Sequence, residues 1–332
     1  MPNLLQYPVA LFGVLRAGMV VVNINPQYSP CEFAHQLNDS RAKAIVVLEN
    51  FAGTLAQVVG STPVQTVITT QVVDLLPPLR RWLNNALVKH VKKMVPPWQI
   101  AGALAFNRVL AIGSRNELDD VALAHGDLAF LQYTGGNTGA PKAAMTNHGN
   151  MVANVLQVAA WIGRDLKDGV ETLVIPLPLY HVFALTGTLA FFSKGVPAVL
   201  IANPHDTPDF LKTLDRARPT AIIGVSTLFS GLARRTRVRG AGLEPAEAGG
   251  RRRHGRSKGG RSTLEGRHGH SFGEGYGMSE SAPVAIANPI DIMQWSGQIG
   301  MPLPSTAATS RWHSWASQRT AAQRPAACRL AR

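Results

Sequence analysis

Over residues 1–235 the apolar positions alternate between two spacings. Residues 4–18, LLQYPVALFGVLRAG, place theirs three and four apart, as one face of a helix requires, and close on Gly18. Residues 19–25, MVVVNIN, form a continuous β-branched run, the pattern of a strand buried on both faces. The helical spacing returns over 30–42, PCEFAHQLNDSRA, and a strand pattern over 43–50, KAIVVLEN. Further along, strand patterns at 171–179, 196–203 and 220–226 are separated by helical ones at 181–195 and 207–219. Strands alternating with helices of this length predict an α/β chain with layered, largely parallel sheets. Ligands of such sheets bind in the loops beyond the strand C-termini.

One apolar stretch needs a separate reading. Residues 173–192, LVIPLPLYHVFALTGTLAFF, run for twenty positions without a formal charge, which is long enough to cross a bilayer. Pro176, Pro178 and His181 interrupt it, so the pattern predicts a buried strand, a loop and a core helix instead. With 332 residues, 45% of them hydrophobic, the chain can bury a core as one large domain or two smaller ones. Cys31 and Cys328 have no metal-ligand spacing and make no disulfide framework, and the N-terminus lacks the basic leader of a signal peptide. Both features point to a reducing, cytoplasmic setting.

The net charge of +13 suggests a nucleic-acid partner until it is located. Residues 1–233 hold 17 Lys+Arg against 14 Asp+Glu, whereas residues 234–332 hold 16 against 6. The basicity therefore belongs to the last third and says nothing about the α/β part.

Within that part, residues 131–145, LQYTGGNTGAPKAAM, gather glycines, hydroxyls, an amide and a lysine into one loop after an apolar run. Glycine lets backbone approach an anion, and successive amide N–H groups cradle phosphate oxygens. Thr134, Asn137 and Thr138 add side-chain donors, and Lys142 adds a mobile cation. Pro141 before Lys142 removes an amide donor and excludes a Walker A loop, which needs Gly-Lys-[Ser/Thr] opening a helix. The residue types favour a phosphate-binding loop over a mobile surface turn.

This loop resembles the signature loop of the adenylate-forming acyl-CoA synthetases, and the resemblance is nearest to the bacterial long-chain fatty acid–CoA ligases. Residues 1–40, then PLPLYHVFAL at 176–185, EGYGMSESAPVAIANPIDI at 274–292 and SGQIGMPLPST at 296–306 match that branch in the family's order. The resemblance implies the large N-terminal domain of the adenylate-forming fold. It also implies ATP, Mg²⁺, CoA and a long-chain fatty acid as cofactor and substrates, and no specific nucleic acid. In the family the glycine loop grips the ATP phosphates, which here falls to Thr134, Gly135, Gly136, Asn137, Thr138 and Gly139 with Lys142; Asn137 stands where the family usually has threonine. His181 matches the histidine near the junction of acyl group and adenylate, although periodicity alone would make it an ordinary core histidine. Tyr276 and Gly277 match the adenine-stacking aromatic and its glycine. Ser279 matches a threonine that bonds the α-phosphate, and Glu280 matches the magnesium ligand. The implied reaction is adenylation of a carboxylate followed by transfer to the CoA thiol, with His181 and Glu280 as its catalytic side chains.

Residues 79–98, LRRWLNNALVKHVKKMVPPW, add a second candidate surface. Leu79, Trp82, Leu83, Ala86, Leu87 and Val91 fall on one helical stripe, and Arg80, Arg81, Lys89, Lys92 and Lys93 lie beside it. That pattern fits either a helix lying on the inner face of the cell membrane or an ordinary surface helix packed on its domain.

Two segments break the α/β pattern. Residues 236–273 carry nine Lys+Arg and ten glycines with no strand or helix period, and residues 307–332 are rich in Arg, Ala and Trp. A nucleic-acid-binding insert, a flexible linker and a shifted reading frame compete as explanations. The family's spacing is kept across the first segment and its pattern recovers abruptly at EGYG, which favours the frame shift. The expected organisation is a partial AMP-binding domain over 1–235, an aberrant basic segment over 236–273, resumed domain over 274–306 and an aberrant tail over 307–332. By the resemblance, the ribose-binding aspartate, the hinge and the small C-terminal domain would follow beyond this chain, so an impaired ligase or a non-catalytic nucleotide- or acyl-binding fragment is expected.

Overall fold

The computed structural model describes residues 1–134, 141–163, 166–225, 227–229, 274–289 and 299–307. They divide into two compact units, Met1–Gly149 and the described part of Asn150–Thr309. The division falls inside the 1–235 stretch. Of the two basic segments, only Ala307 lies within the described residues.

The first unit begins with helix α1 (Gln6–Arg16), which stops where Gly18 takes φ +68° and its N–H donates to Leu15 O. Strand β1 (Val21–Asn23) leads to α2 (Pro30–Asp39). Ser29 caps α2: its hydroxyl accepts from the Glu32 N–H, and the Glu32 carboxylate accepts from the Ser29 N–H at 2.8 Å. The Ser29 hydroxyl also donates to the Glu32 carboxylate at 2.7 Å, and this bond, with that from the Ser29 N–H, holds the Glu32 carboxyl below its ordinary pKa. Then follow β2 (Ala44–Leu48), α3 (Glu49–Ala56), β3 (Thr66–Thr70), α4 (Pro78–Ala86), β4 (Leu104–Ala105) and α5 (Phe106–Gly113). Strands β2, β3 and β4 form a parallel sheet. Phe33, Leu37, Val47, Leu55 and Val67 build a core against that sheet. Cys31 lies in the first turn of α2, and Cys328 lies outside the described residues.

A second sheet in this unit orders β1, β5 (Leu128–Thr134) and β6 (Lys142–Asn147). Strand β1 runs parallel to β5, while β5 and β6 form an antiparallel hairpin. The sheet is pinned by a buried polar chain. The Tyr7 hydroxyl donates to Asn23 Oδ1 at 2.8 Å, Asn23 Nδ2 donates to Gln132 Oε1 at 3.2 Å, and Gln36 Nε2 donates to Asn23 O at 2.9 Å. Burial raises the Tyr7 pKa, so the hydroxyl stays protonated and keeps its donor role.

The second unit follows from α6 (His148–Ile162), which starts at the end of the first. It contains β7 (Leu173–Ile175), α7 (Val182–Phe192), β8 (Ala198–Leu200), α8 (Thr207–Ala217) and β9 (Ala221–Ile222). Strand β7 pairs in parallel with both β8 and β9. Val174, Ile201, Phe210 and Leu214 close a core between this sheet and α8. The uncharged stretch of 173–192 is thus β7, a loop and the largely buried α7, as its prolines predict, and no helix among the described residues is long and apolar enough to cross a membrane. The resumed segment supplies an antiparallel sheet of β10 (Gly275–Gly277), β11 (Val284–Ala287) and β12 (Met301–Pro302). Val284, Ala287 and Leu303 pack against Val158 and Trp161 of α6.

Candidate functional site

In the first unit the glycine-rich loop closes the β5–β6 hairpin. Thr134 ends β5 and faces Lys142, which opens β6, and the Thr134 hydroxyl donates to Lys142 O at 3.3 Å. The connecting residues leave from one side of a single cross-strand pair, so the Thr134 side chain and the exposed Lys142 side chain stand at the mouth of the loop. Gly135, Gly136, Asn137, Thr138 and Gly139 lie outside the described residues. The sequence pattern predicts a strand, the loop and then a helix; β6 intervenes before α6. KAAMTN has no strand alternation, and pairing with β5 decides its conformation.

The hairpin is braced one residue below the loop. The Tyr133 hydroxyl donates to Asp39 Oδ2 at 2.5 Å, tying β5 to the end of α2. Partial burial and the adjacent carboxylate raise the Tyr133 pKa, which keeps the donor proton in place. Asp39 escapes sequence reasoning because its partner is 94 residues away.

The remaining candidates belong to the second unit. His181 is the residue before α7, in extended conformation, with its ring centroid 5.7 Å from that of Tyr180. Part of the ring is exposed, and the surrounding protein desolvates the rest enough to lower its pKa. The lowered value favours neutral imidazole at neutral pH, a form able to accept a hydrogen bond or a proton. This is not the satisfied core histidine that periodicity alone would give.

Tyr276 and Gly277 lie in β10, and Ser279 and Glu280 in the single turn of 3₁₀ helix, Ser279–Ser281, that follows. Tyr276 is 48% exposed. A side chain at Gly277 is excluded by the backbone, because a Cβ there would sit 1.7 Å from Pro283 O. A Cβ at Gly275 would sit 3.8 Å from the Phe183 ring, so β10 lies beside the first turn of α7, the helix that His181 precedes. The Glu280 carboxylate is exposed. A lone hard oxygen donor suits Mg²⁺, which takes few protein carboxylates and fills its shell with phosphate oxygens and water. No group of three or more His, Cys, Asp or Glu able to cage a metal occurs among the described residues.

Strand β11, the partner of β10, is fixed by a residue the sequence does not single out. Asn154 of α6 is 3% exposed, and its amide meets both backbone groups of Val284, donating to the carbonyl at 2.7 Å and accepting from the N–H at 3.0 Å. Gln157 Nε2 donates to Pro304 O at 2.7 Å, and Trp161 Nε1 donates to Asn288 O at 3.0 Å. One face of α6 thus holds the sheet that carries Tyr276.

Comparison with known proteins places these features in a family. The model of the AMP-binding enzymes matches residues 1–309. Long-chain-fatty-acid–CoA ligases of Escherichia coli O157:H7 and Haemophilus influenzae are 47% and 43% identical to the chain over 317 and 321 residues. Those alignments take in 93% and 92% of this chain and 55% of each relative, so the chain spans about half the length of the curated relatives it matches. The solved long-chain-fatty-acid–CoA ligase of Archaeoglobus fulgidus has the same fold at a TM-score of 0.70 and 21% identity, covering 91% of this chain and 56% of that one. An anthranilate CoA ligase in complex with anthranoyl-AMP matches at a TM-score of 0.70 and 17% identity, covering 92% of this chain and 54% of that one. The fold is that of the N-terminal domain of adenylate-forming enzymes, and the chain belongs to the AMP-binding enzyme family.

Proposed function

We propose that this chain is the nucleotide-binding part of an ATP-dependent long-chain fatty acid–CoA ligase. The observation that carries the reading is the hairpin closed by Thr134 and Lys142, which sets a hydroxyl and a mobile cation at the mouth of a glycine-rich loop. The identity to long-chain ligases supports the substrate class.

In this reading the loop residues 134–139 and Lys142 hold the β- and γ-phosphates of ATP. The Tyr276 face stacks on adenine, with Gly277 letting the strand lie close. The Ser279 hydroxyl donates to the α-phosphate, and Glu280 takes a Mg²⁺ ion whose charge offsets that of the phosphates. The fatty carboxylate oxygen attacks the α-phosphorus, and the bond to the bridging oxygen breaks to release pyrophosphate. Negative charge gathers on the phosphoryl oxygens, where donors already in place stabilise it without reorganisation. His181, neutral at working pH, borders the acyl-adenylate junction. The CoA thiol then displaces AMP from the acyl carbonyl. Burial of the fatty chain adds about 0.8 kcal/mol per CH₂ to binding, which suits a substrate with one polar end.

The test is ATP–pyrophosphate exchange dependent on palmitate. Exchange that disappears in Lys142→Ala and Glu280→Ala supports the reading. Binding of ATP or palmitate without exchange makes the chain a non-catalytic binding fragment, and absence of both overturns the assignment.

A further inference from the structure

The helix over residues 78–91 turns its apolar stripe outward and buries Asn85. Leu79, Trp82, Leu83, Leu87 and Val91 are 70%, 68%, 51%, 42% and 70% exposed, whereas Asn85 is 8% exposed. At about 100° per residue, Asn85 lies about 140° round the helix from the stripe centred on Leu79 and Leu83. Polar bonds fasten that inner side: Asn85 Nδ2 donates to Asp74 Oδ1 at 3.3 Å, and the Val73 N–H donates to Asn85 Oδ1 at 3.3 Å. Beyond α4 the helix widens into a π turn over Leu87–Val91, where the Lys92 N–H reaches Leu87 O at 2.8 Å. The wider turn advances less per residue and keeps Val91 in line with Leu83 and Leu87. Asn50 Nδ2 secures the end of the segment by donating to Met94 O at 2.8 Å. A surface helix in a globular protein ordinarily does the reverse and buries its apolar stripe.

Cations flank the outward stripe. Residues 79–98 hold five Lys or Arg and no Asp or Glu. Arg80, Lys89, Lys92 and Lys93 are exposed, with Arg80 and Lys89 on opposite sides of the stripe. A second copy of this chain would bring like charges together around that stripe. An anionic bilayer answers both features, because the acyl region takes the Leu and Trp side chains while lysine and arginine stems reach the headgroups.

We propose that residues 78–94 are a docking surface for an anionic phospholipid bilayer, with Leu79, Trp82 and Leu83 entering the acyl boundary. The proposal does not depend on the ligase reading, and its test requires no turnover. The 332-residue chain is floated with vesicles of phosphatidylcholine and phosphatidylglycerol at 70:30, and with phosphatidylcholine alone. Expected are binding to the anionic vesicles at least tenfold tighter than to the neutral ones, and weakening of that binding at 0.5 M salt. Leu79→Ser, Trp82→Ser and Leu83→Ser together should lower binding at least tenfold with an unchanged melting temperature, since these side chains face solvent. Lys89→Gln, Lys92→Gln and Lys93→Gln together should remove the preference for anionic lipid. The pair Val9→Ser and Phe12→Ser, on another exposed apolar face, should leave binding intact. Failure of the unaltered chain to float overturns the proposal, as does floating that survives the triple serine change. A concentration-dependent dimer that the triple change abolishes, without vesicle binding, assigns the stripe to self-association instead.

Discussion

Asn154→Ala should loosen the sheet that carries Tyr276 without touching a candidate binding residue. The amide of Asn154 is fixed by its surroundings: its N–H₂ faces the Val284 carbonyl at 2.7 Å and its oxygen faces the Val284 N–H at 3.0 Å. Both residues are nearly inaccessible, at 3% and 8% exposure. Truncation leaves a buried donor and a buried acceptor unpaired at about 1–3 kcal/mol each, so the expected loss is about 2–6 kcal/mol. Water entering the vacated space would recover part of it, which sets the lower end. Against a stability of about 5–15 kcal/mol for a whole domain, this is a large fraction.

Urea denaturation followed by circular dichroism measures the loss. With a slope of about 3 kcal/mol per M, a 3 kcal/mol change moves the midpoint by about 1 M. Asn154 and Val284 both belong to the second unit, so the loss should appear in the transition in which that unit unfolds. Asn154→Asp refines the test. It preserves shape but turns an anionic oxygen toward the Val284 carbonyl, so at pH 7 it should destabilise at least as much as alanine. Facing a carbonyl raises the pKa of the new carboxyl, and its protonated form donates the lost bond, so the deficit should narrow as pH falls through that pKa. A loss below about 1 kcal/mol for alanine, or wild-type stability for aspartate at pH 7, would refute the claim that this amide holds β11.

Two further outcomes follow from the geometry. Gly277→Ala puts a Cβ 1.7 Å from Pro283 O, a backbone atom that cannot rotate away, so β10 must separate from β11 at a cost near the top of the ~1–3 kcal/mol range for overpacking; titration with a fluorescent ATP analogue should show at least tenfold weaker binding, and unchanged affinity would dissociate β10 from the nucleotide. Ser29→Ala removes the α2 cap and should cost about 1 kcal/mol in thermal or urea unfolding at pH 7. Because the bond from the Ser29 hydroxyl lowers the Glu32 pKa, the share of the deficit that rests on it is fully present above the unfolded carboxyl pKa and is lost as pH falls through the folded one, so variant and wild type should draw closer in acid; a deficit independent of pH would assign the effect to the hydroxyl's other bond, accepted from the Glu32 N–H.

Periodicity is most informative in the middle of an element and least informative at its ends, and this chain keeps its candidate chemistry at the ends. The α1 stop at Gly18, the helical span of α2 and the uncharged α7 follow from spacing and composition alone. Thr134 and Lys142, by contrast, sit at the last and first positions of two strands, His181 just before a helix, and Ser279 and Glu280 in one 3₁₀ turn. No spacing rule marks such positions, which is why only a collinear set of motifs raises GYGMSE above an ordinary turn. The amphipathic stripe of α4 shows the same gap in another form. Its two sides are plain in the sequence, but which side turns inward depends on Asn85 finding Asp74 and the Val73 N–H. Asn154 depends likewise on a strand 130 residues away. Helix and strand type are set by each segment's own side chains, so they can be read locally. Orientation and anchoring are set by polar partners distant in sequence, and those same partners fix where the candidate side chains stand.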